Sequence, residues 1–407
     1  MLQRNLAPAG TRIEFSDFRR WAAYGFSRKT SKTLHDFLSS TGIGKPYLVS
    51  SGRAALVLSL QAMHMSRPDR NEVILPAYTC YSVPASIVRA GLKIRVADID
   101  PTTLAYDKNS LLQQDYSRVL AIIATNLYGF PDDLVALTEI AKLHGTFLID
   151  DAAQSMGAKL YKRASGSFGD IGIFSLDKGK AITTIQGGVI LNRNADLEQS
   201  LLLLNRDLPS QPFAQSAYQW LALVVYSIFL RPGLYDIPAN IPSLELGQTR
   251  YSEQFLVTKY PRTLAGMALA LANRLQQIVA ARRSIGSTLR ELISELPEFD
   301  TIRPVTGAEP SYLRFPMLVS SPQLRKRVVS LLSSRKLGLS TSYPDTINKL
   351  SELGGHIVNN GVYVGGESVA SSIITLPTHG YVSAGDIKRM ESGLRECLYL
   401  AGQGTQC

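Results

Sequence analysis

Cysteine is scarce in this chain: Cys80, Cys397 and Cys407 are all that 407 residues hold. They are scattered and form no CxxC pair, which argues against a disulfide framework or a zinc site. No metal centre is expected, and cysteine this sparse fits a reducing compartment, so a cytoplasmic location is expected. Met1 to Phe15 lacks the apolar core of about 7–15 residues that a secretory leader carries. There is no internal repeat and no low-complexity tract. A continuous run of about 20 apolar residues, as a spanning helix needs, is also missing. The nearest approach is AYQWLALVVYSIFL at 217–230, bounded by Arg231 and Pro232. The plain reading of that run is a buried or dimer-interface helix. Membrane contact through Trp220 and Tyr226 is the alternative, and a true span comes third.

What is present is an ordinary soluble composition, 45% hydrophobic and 19% charged, which excludes disordered and collagen-like classes. The net charge of +10 suits anionic small molecules such as phosphates, or else reflects a solvated basic face. Nucleic acid is not expected as a partner. From residue 45 to 195, short Val- and Ile-rich runs alternate with helical patterns. Val73–Leu75, Ile94–Ile99, Val119–Ala124, Phe147–Ile149, Ile171–Leu176 and Gly188–Leu191 read as buried strands. Ala54–Met63, Val83–Ala90 and Leu134–His144 read as helices between them. The alternation predicts an α/β fold: a large, mostly parallel sheet with helices on both faces, plus a smaller C-terminal α/β domain. The expected division is an N-terminal arm at 1–40 and a large domain at 41–260, with a proline-rich insertion at 196–250. A long linking helix (262–296) and the small domain then occupy 261–407.

Three motifs carry chemistry. Ser50-Ser-Gly-Arg53 precedes a helix, where free backbone N–H groups can cradle a phosphate, though the same residues serve as an ordinary N-cap. Asp150-Asp151 ends a predicted strand, and alternation sends the two carboxylates to opposite faces, so only one can reach a shared pocket. Lys180 follows the strand ending FSL and precedes the next, on a loop from which its amine can reach a ligand, with Lys178 as a decoy.

In this order and spacing the motifs resemble the DegT/DnrJ/StrS group of aminotransferases that use pyridoxal 5'-phosphate (PLP). The match runs through SGRAAL (51–56), PAYTC (76–80), DIDPTTLAYD (98–107), NLYGFPDDL (126–134), IDDAAQSMGA (149–158), GSFGDIGIFSL (166–176), Lys180 and QGG (186–188). The resemblance implies an aspartate-aminotransferase-like fold. Lys180 would form a Schiff base with PLP and then shuttle a proton, and Asp151 would bind the pyridine nitrogen. Gln154 would approach the ring hydroxyl, while Ser51, Gly52, Arg53 and Ser175 would bind the phosphate. It also implies a homodimer with shared active sites, glutamate or glutamine as amino donor, and a nucleotide-linked keto sugar of polysaccharide biosynthesis as acceptor. The departures concern the ring face, where Cys80, with Tyr81 beside it, stands in place of an aromatic residue. Arg53, Gln186 and Asn126 replace the usual threonine, glutamate and histidine, and Val257–Lys259 aligns poorly with a signature lent by the partner subunit. The alternatives are another PLP reaction on a sugar- or lipid-linked substrate, or a PLP-binding regulator without turnover. The family's dehydratases lack the Schiff-base lysine, which Lys180 supplies here.

Overall fold

The computed structural model describes residues 4–25, 28–241, 250–359 and 361–403. Seven strands make the main sheet: β1 (Lys45–Val49), β2 (Glu72–Pro76), β3 (Lys93–Ala97), β4 (Val119–Thr125), β5 (Phe147–Asp151), β6 (Ile171–Ser175) and β7 (Gly188–Asn192). Their order is β1-β7-β6-β5-β4-β2-β3, and β7 alone runs against its neighbours. Every residue of β2, β4, β5, β6 and β7 is buried, as a sheet covered on both faces requires. The apolar runs therefore mark these strands well. β1 was not anticipated, because KPYLV is short and half polar; its ladder is with β7, and Val49 makes one further antiparallel bridge to Lys259.

The longer helices of the first half are α1 (Phe15–Tyr24), α2 (Arg28–Ser40), α3 (Gly52–Ser66), α4 (Ser82–Arg89), α5 (Leu134–Leu143), α6 (Glu198–Asp207) and α7 (Phe213–Phe229). The expected single helix over 262–296 is two: α8 (Ala265–Ala272) and α9 (Leu275–Ser294), with Arg274 non-helical at φ −108° and ψ 2° between them. Arg274 pairs there with Glu14 at 2.8 Å and with the fully buried Asp17 of α1. The break thus ties the N-terminal arm to the domain, while Ala265–Leu271 of α8 is wholly buried. A second, antiparallel sheet of β8 (Phe299–Thr301), β9 (Arg314–Val319) and β10 (Ile373–Pro377) forms the core of the C-terminal unit. The helices α10 (Pro322–Ser334), α11 (Val364–Ser372) and α12 (Ala384–Gln403) belong to the same unit.

The apolar run proves two-sided. Gln219, Leu223, Ser227 and Leu230 of the α7 segment face the protein, whereas Tyr218, Leu221, Val225 and Ile228 are exposed. Among the described residues, no helix is long and apolar enough to cross a membrane. Part of the expected insertion, 242–249, lies outside the described residues, as does Cys407.

Candidate active site

In a mostly parallel sheet, ligands gather at the carboxyl ends of the strands. A cavity lies there, lined in part by Thr79 and Cys80 after β2, Thr125 and Asn126 at the end of β4, Asp151, Ala153 and Gln154 at β5, and Lys180 after β6. The strand alternation of the two aspartates holds. Asp150 points away from the cavity and accepts from the backbone N–H of Gly166 at 2.6 Å and Phe168 at 3.1 Å, and from Asn126 Nδ2 at 2.8 Å. Asp151 faces the cavity, with Oδ1 taking the Ala153 N–H at 3.0 Å. Burial pushes both carboxyls up to about 6. Asp150 is held back by the bonds from Phe168 and Asn126, and Asp151 by the Ala153 N–H and the positive charge of Lys180.

Position separates the two lysines. Lys178 is exposed, whereas Lys180 is half-buried and lines the cavity. The loop carrying it, 176–187, is fastened from several directions. Thr11 Oγ1 donates to the Lys180 carbonyl at 2.6 Å, and the buried Arg282 donates to Gly10 O at 2.6 Å, to Thr11 Oγ1 at 3.1 Å and to Leu313 O at 2.7 Å. Tyr260 Oη donates to Thr184 Oγ1 at 3.1 Å. None of these distant partners has a local signature in the sequence.

Ser51, Gly52, Arg53 and Ser175 form a group beside the cavity rather than part of its lining. Ser51 Oγ caps α3 by accepting the Ala54 N–H at 3.1 Å. A Cβ on Gly52 would stand 3.0 Å from Ser175 Cβ, so glycine leaves the helix N-terminus open against β6. Arg53 lies over the Phe255 ring at 4.6 Å, and Ser175 Oγ donates to Asp177 Oδ2 at 3.2 Å. Asp177 was not anticipated. Burial raises its carboxyl, while Lys180, the Ser175 hydroxyl and Arg53 pull it back down.

Gln154 accepts the Tyr128 N–H at 3.1 Å and donates to Tyr343 Oη at 3.0 Å. Tyr343 comes from the C-terminal unit and packs on Tyr78 and Tyr81 with ring centres 5.6 and 5.8 Å away. No sequence signal marks it. Cys80 lines the cavity, but Tyr81 does not: its hydroxyl donates to Asp345 O at 3.1 Å and accepts the Asp345 N–H at 3.0 Å. Asn126, a departure noted in the sequence, joins the layers: it donates to Asp150 and to Asp151 O, and accepts the Asp132 N–H at 2.9 Å. A separate cavity of about 130 Å³ between α2, α8 and the sheet is lined by apolar side chains and Thr41, and offers no reactive group.

The residue types fit PLP: Asp151 and Lys180 line one space, Thr79, whose Oγ1 is buried without a partner, lines it too, and a glycine-opened helix N-terminus adjoins.

A family model described as the DegT/DnrJ/EryC1/StrS aminotransferase family matches residues 34–218 and 249–395. The chain is 28% identical over 318 residues to a GDP-4-keto-6-deoxy-D-mannose 3-dehydratase of Yersinia pseudotuberculosis, covering 73% of this chain and 72% of that one. It is 32% identical over 192 residues to an L-glutamine:2-deoxy-scyllo-inosose aminotransferase of Streptoalloteichus tenebrarius, covering 46% of this chain and only 45% of the relative. The solved structure of the aminotransferase TlmJ from Streptoalloteichus hindustanus superposes with a TM-score of 0.77 at 20% identity, over 98% of this chain and 100% of that one. That likeness shows the shared fold.

Proposed function

The chain belongs to the DegT/DnrJ/EryC1/StrS aminotransferase family, and on that premise we propose that it uses PLP to move an amino group from glutamate or glutamine to a nucleotide-linked keto sugar in polysaccharide biosynthesis. The observation that carries this reading is that Lys180 and Asp151 face one cavity while Lys178 and Asp150 point elsewhere. When bound, PLP supplies an aldehyde for an amine and a ring that takes up electrons from the reacting carbon. Asp151 would keep the ring nitrogen protonated, and pairing with that cation would offset the burial that raises its own carboxyl. Lys180 would be the attachment point for PLP, and its amine would take up and give back the proton that moves during amino transfer, general acid–base work worth about 10²–10⁴-fold. The N–H groups at the start of α3, with Ser51, Gly52, Arg53 and Ser175, would hold the phosphate, and Gln154 and Cys80 would contact the ring.

The second reading is dehydration of a sugar, favoured by the wide alignment with the Yersinia dehydratase. Lys180 favours amino transfer, because it supplies both the attachment point and the base. The test is a titration of PLP-loaded protein with amino acids. Glutamate or glutamine should bleach the visible band without an acceptor, and a keto-sugar nucleotide should restore it. If no amino acid bleaches the band while a nucleotide keto sugar loses water, dehydration replaces amino transfer.

A cytoplasmic homodimer with shared active sites is part of the same reading. The exposed face of α7, with Tyr218, Leu221, Val225 and Ile228, is apolar surface that a second copy would cover. Sedimentation at micromolar concentration should give a dimer. A monomer that instead pellets with lipid vesicles would assign this face to peripheral membrane contact.

A further inference from the structure

The loop 176–187 between β6 and β7 carries more backbone strain than its length requires. Gly179 lies at φ +80° and Gly187 at φ +149°, where glycine is at ease. Ile185 lies at φ +69° and is buried, and a β-branched side chain keeps that conformation only where its surroundings hold it there. Lys180 sits between Gly179 and Ile185, so its placement depends on what holds these two ends.

One face of α7 touches both ends. The Gly179 N–H donates to Tyr226 Oη at 3.4 Å, and Gln219 Nε2 donates to Gln186 Oε1, one residue past Ile185. Gln219 and Tyr226 are seven residues apart, two helical turns, and therefore project from the same side. Leu223, between them, is fully buried in the cluster that contains Ile182 and Ile185. Most of this element, from residue 219 on, falls in the gap of the family match. We propose that α7 is a clamp on the lysine loop, with Gln219 and Tyr226 as positioning residues that fix where Lys180 presents its amine. Gln219 is poorly explained as a stability element. Its Oε1 is buried without a partner, so a leucine there would pack at least as well. What the amide adds is a directed bond to Gln186.

The proposal rests on Lys180 being the cofactor lysine, but its first test does not need the cofactor. Gln219→Leu and Tyr226→Phe are made singly and together in the full-length protein, with Leu143→Ala at the exposed end of α5 as control. Hydrogen exchange of the 177–187 peptide, measured without PLP, should run about three- to tenfold faster in the double variant. The β4 peptide and the melting temperature should stay as in the parent. In PLP-loaded protein, the pH midpoint of the visible band should shift in the double variant and stay fixed in Leu143→Ala. Unchanged exchange at 177–187 in folded variants overturns the clamp, and so does acceleration spread equally to β4, which would report global loosening. Tyr226→Phe removes a single oxygen and serves if Gln219→Leu folds poorly. If PLP never binds but the loop still loosens, the functional reading falls and the clamp stands; if PLP binds and the loop is indifferent, the reverse holds.

Discussion

The two sides of the cavity are built differently. Asp151 ends a central strand whose neighbours on both sides pair with it through parallel ladders, and its position follows from one continuous sheet. Lys180 lies on a strained loop whose fastenings come from the N-terminal arm, from α7, from Tyr260 and, through Thr11, from Arg282 of α9. The acid is held by local geometry and the base by long-range contacts. A carboxylate fixed by the sheet and a lysine aimed by contacts from several directions suit chemistry that needs both groups pre-positioned.

The same contrast explains what the sequence discloses. β4 and β5 are legible because VLAIIAT and FLIDD are buried along their whole length, so the apolar run and the strand coincide. The opposed faces of Asp150 and Asp151 follow from the period of a strand alone. Lys180 is legible as a loop lysine, but its preference over Lys178 rests on resemblance, because exposure is a tertiary property. Tyr343, Asp177 and the Arg282–Thr11 relay are not legible. Each matters through a partner far away in the chain, and Tyr343 reaches Gln154 across 189 positions. The broken helix at Arg274 escapes for a like reason: its spacing is helical, and only pairing with Glu14 and Asp17 makes the break worthwhile.

The strongest way to break the comparison is Lys180→Ala. Without the amine the protein should lose the visible band of the lysine-linked cofactor and at least about 10²–10⁴-fold of amino transfer. It should still fold, because the loop's fastenings use backbone atoms at this residue. Absorbance spectra and single-turnover kinetics check this, and an intact band would move the linkage to another lysine.

Arg282→Met should come next. It removes the donor to Gly10 O and Thr11 Oγ1 and one of two donors to Leu313 O in a buried site, at a cost of about 1–3 kcal/mol in denaturant unfolding. The comparison is sharpened by where the damage falls. Exchange at 177–187 should rise well before exchange at 147–151. Equal rises would mean that the two sides share one scaffold after all.

Acidity separates the sides more gently. The folded carboxyls of Asp151 and Asp150 sit near 6 and that of Asp132 near 7, all raised by burial from 3.8. A raised folded value means that the native state binds more protons than the unfolded chain between 3.8 and 7. These groups therefore add stability that is complete below 3.8 and lost as pH climbs through about 6–7. Cofactor-free protein should melt lower at pH 7.5 than at pH 5, by about 2–4 °C for each kcal/mol lost. A cation paired with Asp151 cancels that group's share, so stabilisation by added PLP should grow across the same window. A PLP effect independent of pH would separate Asp151 from the ring nitrogen.

The smallest expected effect is the most discriminating about the lysine side. Lys178 and Lys180 share a loop and lie two residues apart, yet one is exposed and the other lines the cavity. Lys178 does act on the site, because its charge helps lower the Asp177 carboxyl, though as the last of several influences behind burial, Lys180, Ser175 and Arg53. In Lys178→Ala that carboxyl should rise slightly, and the change should be felt only at low pH and low salt, since an exposed charge is screened within about 8–10 Å. Stability should stay within about 0.5 kcal/mol of the parent, as for most surface substitutions. The visible band should be retained, with turnover within about twofold. A loss of the band like that of Lys180→Ala would mean that the loop can present either amine. In that case the contacts from Thr11, Gln219 and Tyr226 would not be what selects Lys180, and the lysine side would be far less tightly held than its hydrogen bonds indicate.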